Sequence, residues 1–140
     1  MIDYGKLRKS LKHLQVQYAN YLQAQDRREL TTVDREAIAE SVIQRFETCY
    51  DTVWKDVKRH LGEEIGLPDV PNSPKPILKI AAQNDLLGKS VERWLDYADA
   101  RVSTAHDYSR KKAKLVLKRV DAFIKDVIAL YQRMSGAQWK

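Results

Sequence analysis

The chain has very little of what punctuates or staples a fold. A single cysteine among 140 residues, Cys49, excludes an intramolecular disulfide. Its place between Phe46 and Val53 in a helical pattern predicts a buried, inert thiol. Five glycines and four prolines leave few turns, which disfavours a fold of many short strands and favours long helices. No apolar run approaches the roughly 20 residues that span a bilayer. The opening Met-Ile-Asp-Tyr-Gly-Lys lacks the apolar core of a secretion signal, so the expectation is a cytoplasmic protein without a membrane partner. The three histidines, His13, His60 and His106, stand far apart, and neither a His-Glu-x-x-His nor a paired-cysteine motif occurs, so no metal site is expected. Gly-rich phosphate loops and Gly-x-Ser-x-Gly elbows are missing as well. The common hydrolase and nucleotide-binding classes gain no support, and no cofactor is expected.

What the chain does have is an ordinary soluble composition, 44% hydrophobic and 31% charged, with a formal charge of +6. A single domain of this length can bury a sizeable core. The basic balance attracts polyanions without saying which, and its plainer reading is a solubilising surface.

Helical periodicity runs through nearly all of it. Leu7, Leu11, Leu14, Tyr18, Tyr21 and Leu22 form one stripe on a first helix from about Asp3 to Gln25, with Asp3 as a candidate N-cap. A second helix, from about Asp34 to Leu61, carries Ile38, Val42, Phe46, Cys49, Val53, Val57 and Leu61, widened by Tyr50 and Trp54. Thr31, Thr32 and Asp34 are its candidate caps. Gly62, Gly66, Pro68 and Pro71 break it. Ser73-Pro74 then reads as the start of a short helix to about Asn84, bearing Ile77, Leu78, Ile80 and Ala81. Gly88 is a second stop. A fourth helix follows from near Ser90, with Val91, Trp94, Leu95, Tyr97 and Ala98, and the polar stretch from His106 to Ser109 is expected to end it. Asp107 or Ser109 can cap a fifth helix to about Met134, whose seam is Val116, Val120, Phe123, Val127, Leu130 and Met134. These patterns predict an all-α, up-and-down four-helix bundle with one extra short helix, in a single domain over residues 1–134 with a frayed tail at 135–140.

Chemistry, if present, concentrates between Asp99 and Tyr108. Arginine can grip a phosphate through two hydrogen bonds and stabilise charge in phosphoryl transfer, and histidine can give or take a proton near neutral pH. RNA supplies its own nucleophile in the 2′-hydroxyl. Arg101 and His106 are therefore a candidate pair, although five residues along a straight helix place them about 140° apart around its axis. Either the helix bends or ends before His106, or a cleft lets both reach inward. From spacing alone, cations complementing a helix C-terminus are the favoured explanation, with Tyr108 a packing tyrosine. Beside the pair, Arg110, Lys111, Lys112, Lys114, Lys118 and Arg119 form a basic run. It is either a solvated face or an electrostatic landing strip for RNA.

The spacing Arg-x-x-x-x-His-x-Tyr, filled by Arg101, His106 and Tyr108, resembles the signature of the HEPN half of HEPN–MNT two-gene modules, also labelled nucleotidyltransferase substrate-binding proteins. Further along the chain Ile2-Asp3-Tyr4-x-Lys6-Leu7, the block Val42-Ile43-Gln44-Arg45-Phe46-Glu47 with Tyr50 and Trp54-Lys55, Ser73-Pro74 and Trp94-Leu95 are similar too, in order over the first four helices. The resemblance implies a homodimer with the Arg–His pairs facing a shared cleft, and a toxin of a type VII-like toxin–antitoxin module that cuts RNA without metal. Carried over, Arg101 and His106 are catalytic. Tyr108 is the residue to which a minimal nucleotidyltransferase antitoxin attaches AMP. Val102 departs from the family, where asparagine or another polar residue often follows the arginine; Ser103 and Thr104 are near enough to compensate, and Lys111, Lys112 and Lys114 would add substrate contacts. The family's older label implies the alternative, a non-catalytic substrate-binding subunit of a two-component nucleotidyltransferase.

Overall fold

The computed structural model describes residues 2–106 and 110–140, and at 105, 106 and 110 the backbone only. Within that range the chain forms five α-helices in the order α1 (Gly5–Ala24), α2 (Thr32–Arg59), α3 (Pro74–Gln83), α4 (Val91–His106) and α5 (Arg110–Ser135). The end of α2 loosens into a π-helical turn, His60–Glu64. No strand occurs among the described residues. The four long helices make the bundle, and α3 lies against α2 and α4. Helix α2 is the shared element, packing on α1, α3, α4 and α5.

The helix ends follow local chemistry, in places shifted from the pattern-based bounds. Thr31 caps α2 in a reciprocal box: its hydroxyl accepts from the Asp34 N–H, and the Asp34 carboxylate accepts from the Thr31 N–H, both at 3.0 Å. Asp3 sits one residue outside the cap of α1, yet its carboxylate still accepts the Gly5 N–H at 2.8 Å. Ser73 takes the N-cap position of α3 without a side-chain bond, and Pro74 opens the first turn. Gly88 has φ +57°, and a Cβ there would meet the guanidinium of Arg133, which donates to the Leu86 carbonyl. The fourth helix runs through His106, the first residue of the polar stretch expected to end it.

The expected seams meet in the core. Phe123 of α5 is fully buried and receives the rings of Phe46 from α2 and of Trp94 and Tyr97 from α4, edge-on at centroid separations of 4.8, 5.8 and 5.1 Å. Edge-on pairs add about 0.5–1.5 kcal/mol each beyond area burial, so this cluster pins three helices at one point. Cys49 is buried as expected, and burial pushes its thiol up to about 12. Leu22 was expected in the seam of α1 but is half exposed, because the stripe drifts off the core as α1 nears its end. Polar ties lie at the margins: Asp126 of α5 accepts from Arg93 at 2.8 and 2.9 Å and from the Tyr97 hydroxyl at 2.6 Å. After α5 the chain turns at Gly136 and lays Trp139 edge-on against Tyr131.

At the far end of α2 the Tyr4 hydroxyl hydrogen-bonds His60 Nδ1 at 3.0 Å, and Asp56 is buried one turn earlier. Burial lowers the His60 pKa from its ordinary value near 6.5, pushes Tyr4 up to about 12, and raises Asp56. The unfolded chain therefore binds more protons at His60 than the native one, and that contribution to stability is lost as the pH falls below about 6.5. Asp56 acts with the opposite sign, since the native state holds its proton more tightly. Thermal melts followed by circular dichroism from about pH 7.5 to about pH 5.5 should show a falling Tm. The fall should be smaller in the double variant Tyr4→Phe, His60→Leu, and steeper in Asp56→Asn. Parallel curves for all three proteins would refute the assignment.

Candidate functional site

One face of α2 carries Glu47, Tyr50, Asp51 and Trp54, at the i, i+3, i+4, i+7 spacing that aligns side chains along a helix. The facing stretch of α4 presents Ala98, Arg101, Val102 and Thr104. Arg101 reaches across to both acids: Nη1 donates to Glu47 Oε2 at 2.8 Å, and Nε and Nη2 donate to Asp51 at 3.3 and 3.2 Å. Its side chain is 26% exposed, at the rim of the bundle and not in a dry interior. The Asp51 carboxylate, with Glu47 beside it, raises the Arg101 pKa further, so this guanidinium is charged at every accessible pH. Among the described residues three of its five N–H groups are engaged, leaving two for an incoming acceptor.

Beside the clamp lies an open groove of about 490 Å³, whose walls are mostly apolar: Tyr50 and Trp54 of α2, Pro74 and Pro76 of α3, Ala98 and Val102 of α4, with Arg101 at its edge. The Tyr50 hydroxyl is buried without a hydrogen-bond partner among the described residues, and burial raises its pKa. Lys75, which also lines the groove, pairs with Asp99 at 2.5 Å.

The other sequence-picked residues are placed unevenly. Thr104 is buried, and its hydroxyl lies 2.9 Å from both Glu47 Oε2 and the Arg101 carbonyl, so it braces the clamp and is not open to solvent. Ser103 is half-buried, and Val102 is 54% exposed. Lys111 and Lys114 are exposed on α5 and Lys112 is half-buried. Arg119, in the same run, is taken up by Asp96 of α4. The His106 side chain and the whole of Tyr108 lie outside the described residues. Because α4 is helical through His106, the possibility that it ends between Arg101 and His106 falls away, and the two stand about 140° apart around the axis. Among the described residues no group of three or more His, Cys, Asp or Glu side chains is placed to hold a metal ion, and no helix is long and apolar enough to cross a membrane.

Sequence reasoning passed over Asp51 altogether and treated Glu47 only as part of a similar block. The signal was present in the pairing of two acids four residues apart beside the apolar seam of α2. Arg101→Ala leaves these two carboxylates facing each other with no cation between them, and should cost about 1–3 kcal/mol in urea unfolding. Arg101→Lys, which cannot span both acids in a planar fork, should recover only part of that. No loss in either variant would mean the contact is idle.

A model of the family described as nucleotidyltransferase substrate binding protein like matches residues 2–136. The protein named probable ribonuclease HepT from Haemophilus influenzae is 30% identical over 95 residues, which make up 66% of this chain and 64% of that protein. The match thus spans slightly less than two thirds of the relative's length. A crystal structure of a protein from Thermus thermophilus is similar with a TM-score of 0.66, at 23% identity, covering 86% of this chain and 98% of that one. At such identity the likeness speaks for the helical fold alone. Since the family match takes in all five helices, the chain belongs to the nucleotidyltransferase substrate-binding, or HEPN, family.

Proposed function

We propose that the protein is a metal-independent endoribonuclease, the toxin of a type VII-like toxin–antitoxin pair, which acts as a homodimer in the cytoplasm. The observation that carries this reading is Arg101, which heads the Arg-x-x-x-x-His spacing and is held at the rim of an open groove with two N–H groups unpaired among the described residues. Family membership and the ribonuclease name of the Haemophilus relative support it.

In this reading the 2′-hydroxyl of the substrate attacks the neighbouring phosphorus as the bond to the 5′-oxygen breaks. One His106 imidazole takes the hydroxyl proton, and the imidazole of the second copy protonates the leaving oxygen. Arg101 stabilises the charge that develops on the phosphoryl oxygens. Fixing the guanidinium between two carboxylates means that little ordering is left to be done when substrate arrives. Lys111, Lys112 and Lys114 add charge on the adjoining helix. Tyr108, two residues beyond His106, is the site at which the partner nucleotidyltransferase adds AMP, and the added phosphate would oppose RNA at Arg101 by charge and bulk.

A second reading, the non-catalytic substrate-binding subunit, draws on Val102. This exposed apolar side chain lines the groove where a polar one would hold a phosphate more readily. The two are separated by incubating purified protein with RNA in the presence of a chelator. The nuclease reading expects cleavage that falls at least about 100-fold in Arg101→Ala and in His106→Ala, with melting curves verifying that both remain folded. It also expects an added AMP mass on Tyr108 after co-expression with the neighbouring nucleotidyltransferase. Cleavage undiminished in His106→Ala removes the nuclease reading, and protein purified without the nucleotidyltransferase that never cleaves RNA, yet forms a stable complex with that partner, establishes the other.

A further inference from the structure

The Arg101 cluster holds one cation and two carboxylates, so on balance it is acidic and a poor attractor of a polyanion. The opposite electrostatics appear on a different face of α2. A groove of about 350 Å³ between α1 and α2 is lined by Lys6, Lys9 and His13 of the first helix and Arg45 of the second, over a floor of small hydroxyl residues. No carboxylate lines it. Lys6, Lys9, His13 and Arg45 are all exposed, and among the described residues none makes an ion pair.

Arg45 is oriented without being neutralised. Its Nη1 lies 3.3 Å from His13 Nδ1, and because a guanidinium can only donate, His13 accepts through Nδ1 and carries its proton on Nε2. Arg27, Arg59, Arg93, Arg101 and Arg119 pair with acids, whereas Arg35 and Arg133, like Arg45, are held by neutral acceptors, in their case backbone carbonyls. The hydroxyls of Ser10, Thr48 and Thr52 donate to carbonyls of their own helices, so the floor is neutral and the cations stand on the walls. A concave site with three positive charges, an imidazole N–H and no acid in its lining has the chemistry of a phosphodiester cradle, although Lys6 also acts on the nearby Asp56.

We infer that the α1–α2 groove binds the phosphate backbone of single-stranded RNA and supplies attraction that the Arg101 cluster lacks. This rests on RNA being the substrate. Arg45, Thr48 and Thr52 lie roughly 140° around α2 from the face of Glu47, Tyr50, Asp51 and Trp54, so a strand wrapping that one helix reaches both sites.

The test uses a short fluorescein-labelled 2′-O-methyl RNA, which has no free 2′-hydroxyl and so reports binding without cleavage. Its affinity for the full chain is read by fluorescence anisotropy over a range of salt. The double variant Lys9→Gln, Arg45→Gln should bind more weakly, with the slope of log affinity against log salt reduced by about 1.4, the share of two phosphate contacts on a single strand. Arg45→Lys, which keeps the charge, should retain the slope. So should the double variant Lys79→Gln, Lys89→Gln, which removes equal charge at exposed positions elsewhere. A slope unchanged in the first variant, or equally reduced in the last, overturns the groove while leaving the nuclease reading intact. A wild-type protein that does not bind the probe but cleaves unmodified RNA also overturns the groove alone, and one that does neither removes both.

Discussion

Two carboxylates on one helix hold a guanidinium that belongs to another, and the candidate site is built around that triangle. Arg101 cannot swing into solvent while Glu47 and Asp51 both accept from it, and the Thr104 hydroxyl steadies Glu47 by donating to its carboxylate. Partial exposure limits the energy of such a cluster, because water screens it. Its main effect is geometric. A long, flexible side chain is reduced to one orientation at the edge of a groove whose apolar walls come from α2, α3 and α4, with two of its donors lacking a partner among the described residues. Removing the acids would leave the charge and lose the direction.

That triangle is possible because α2 serves three surfaces at once. Its seam of Val42, Phe46, Cys49, Val53 and Val57 is fully buried. Glu47 and Asp51 flank the seam on the side of α4, while Arg45, Thr48 and Thr52 flank it on the side of α1. A helix that packs against every other helix of the bundle transmits the aromatic cluster around Phe123 directly to the acids that aim Arg101. Distortion of that core would shift the site without touching any residue in it.

How much of this was legible beforehand divides along physical lines. The five helices and their buried faces were readable because burial imposes a period on the sequence, and Phe123, Val127 and Leu130 follow it. Arg101 was readable as a candidate because arginine, histidine and tyrosine recur at a family spacing. Its clamp was not, since Arg101 and Asp51 are 50 residues apart in the chain and nothing local links them. The end of α4 was legible too: the polar stretch expected to end it begins at His106, the last residue through which the helix is described. The link from Tyr4 to His60 was invisible for the same reason as the clamp. The cations of the α1–α2 groove, scattered through two helices at positions 6, 9, 13 and 45, form no run that inspection of the chain would select, unlike the conspicuous one that begins at Arg110.

Net charge alone would have pointed elsewhere. The densest basic run lies on α5, yet Arg119 within it is consumed by Asp96, and the arginine with the strongest claim to chemistry is the one most fully compensated by acids. Attraction and orientation make opposing demands on a cation. To attract a polyanion from a distance it must be uncompensated, and to stabilise developing charge it must be fixed. Fixing it with carboxylates cancels its field. A protein that fixes Arg101 in this way has reason to place its uncompensated charge on other surfaces, within reach along the same helix but outside the clamp, and the pairing of an acid-bound arginine on one face of α2 with an imidazole-oriented arginine on another has that arrangement.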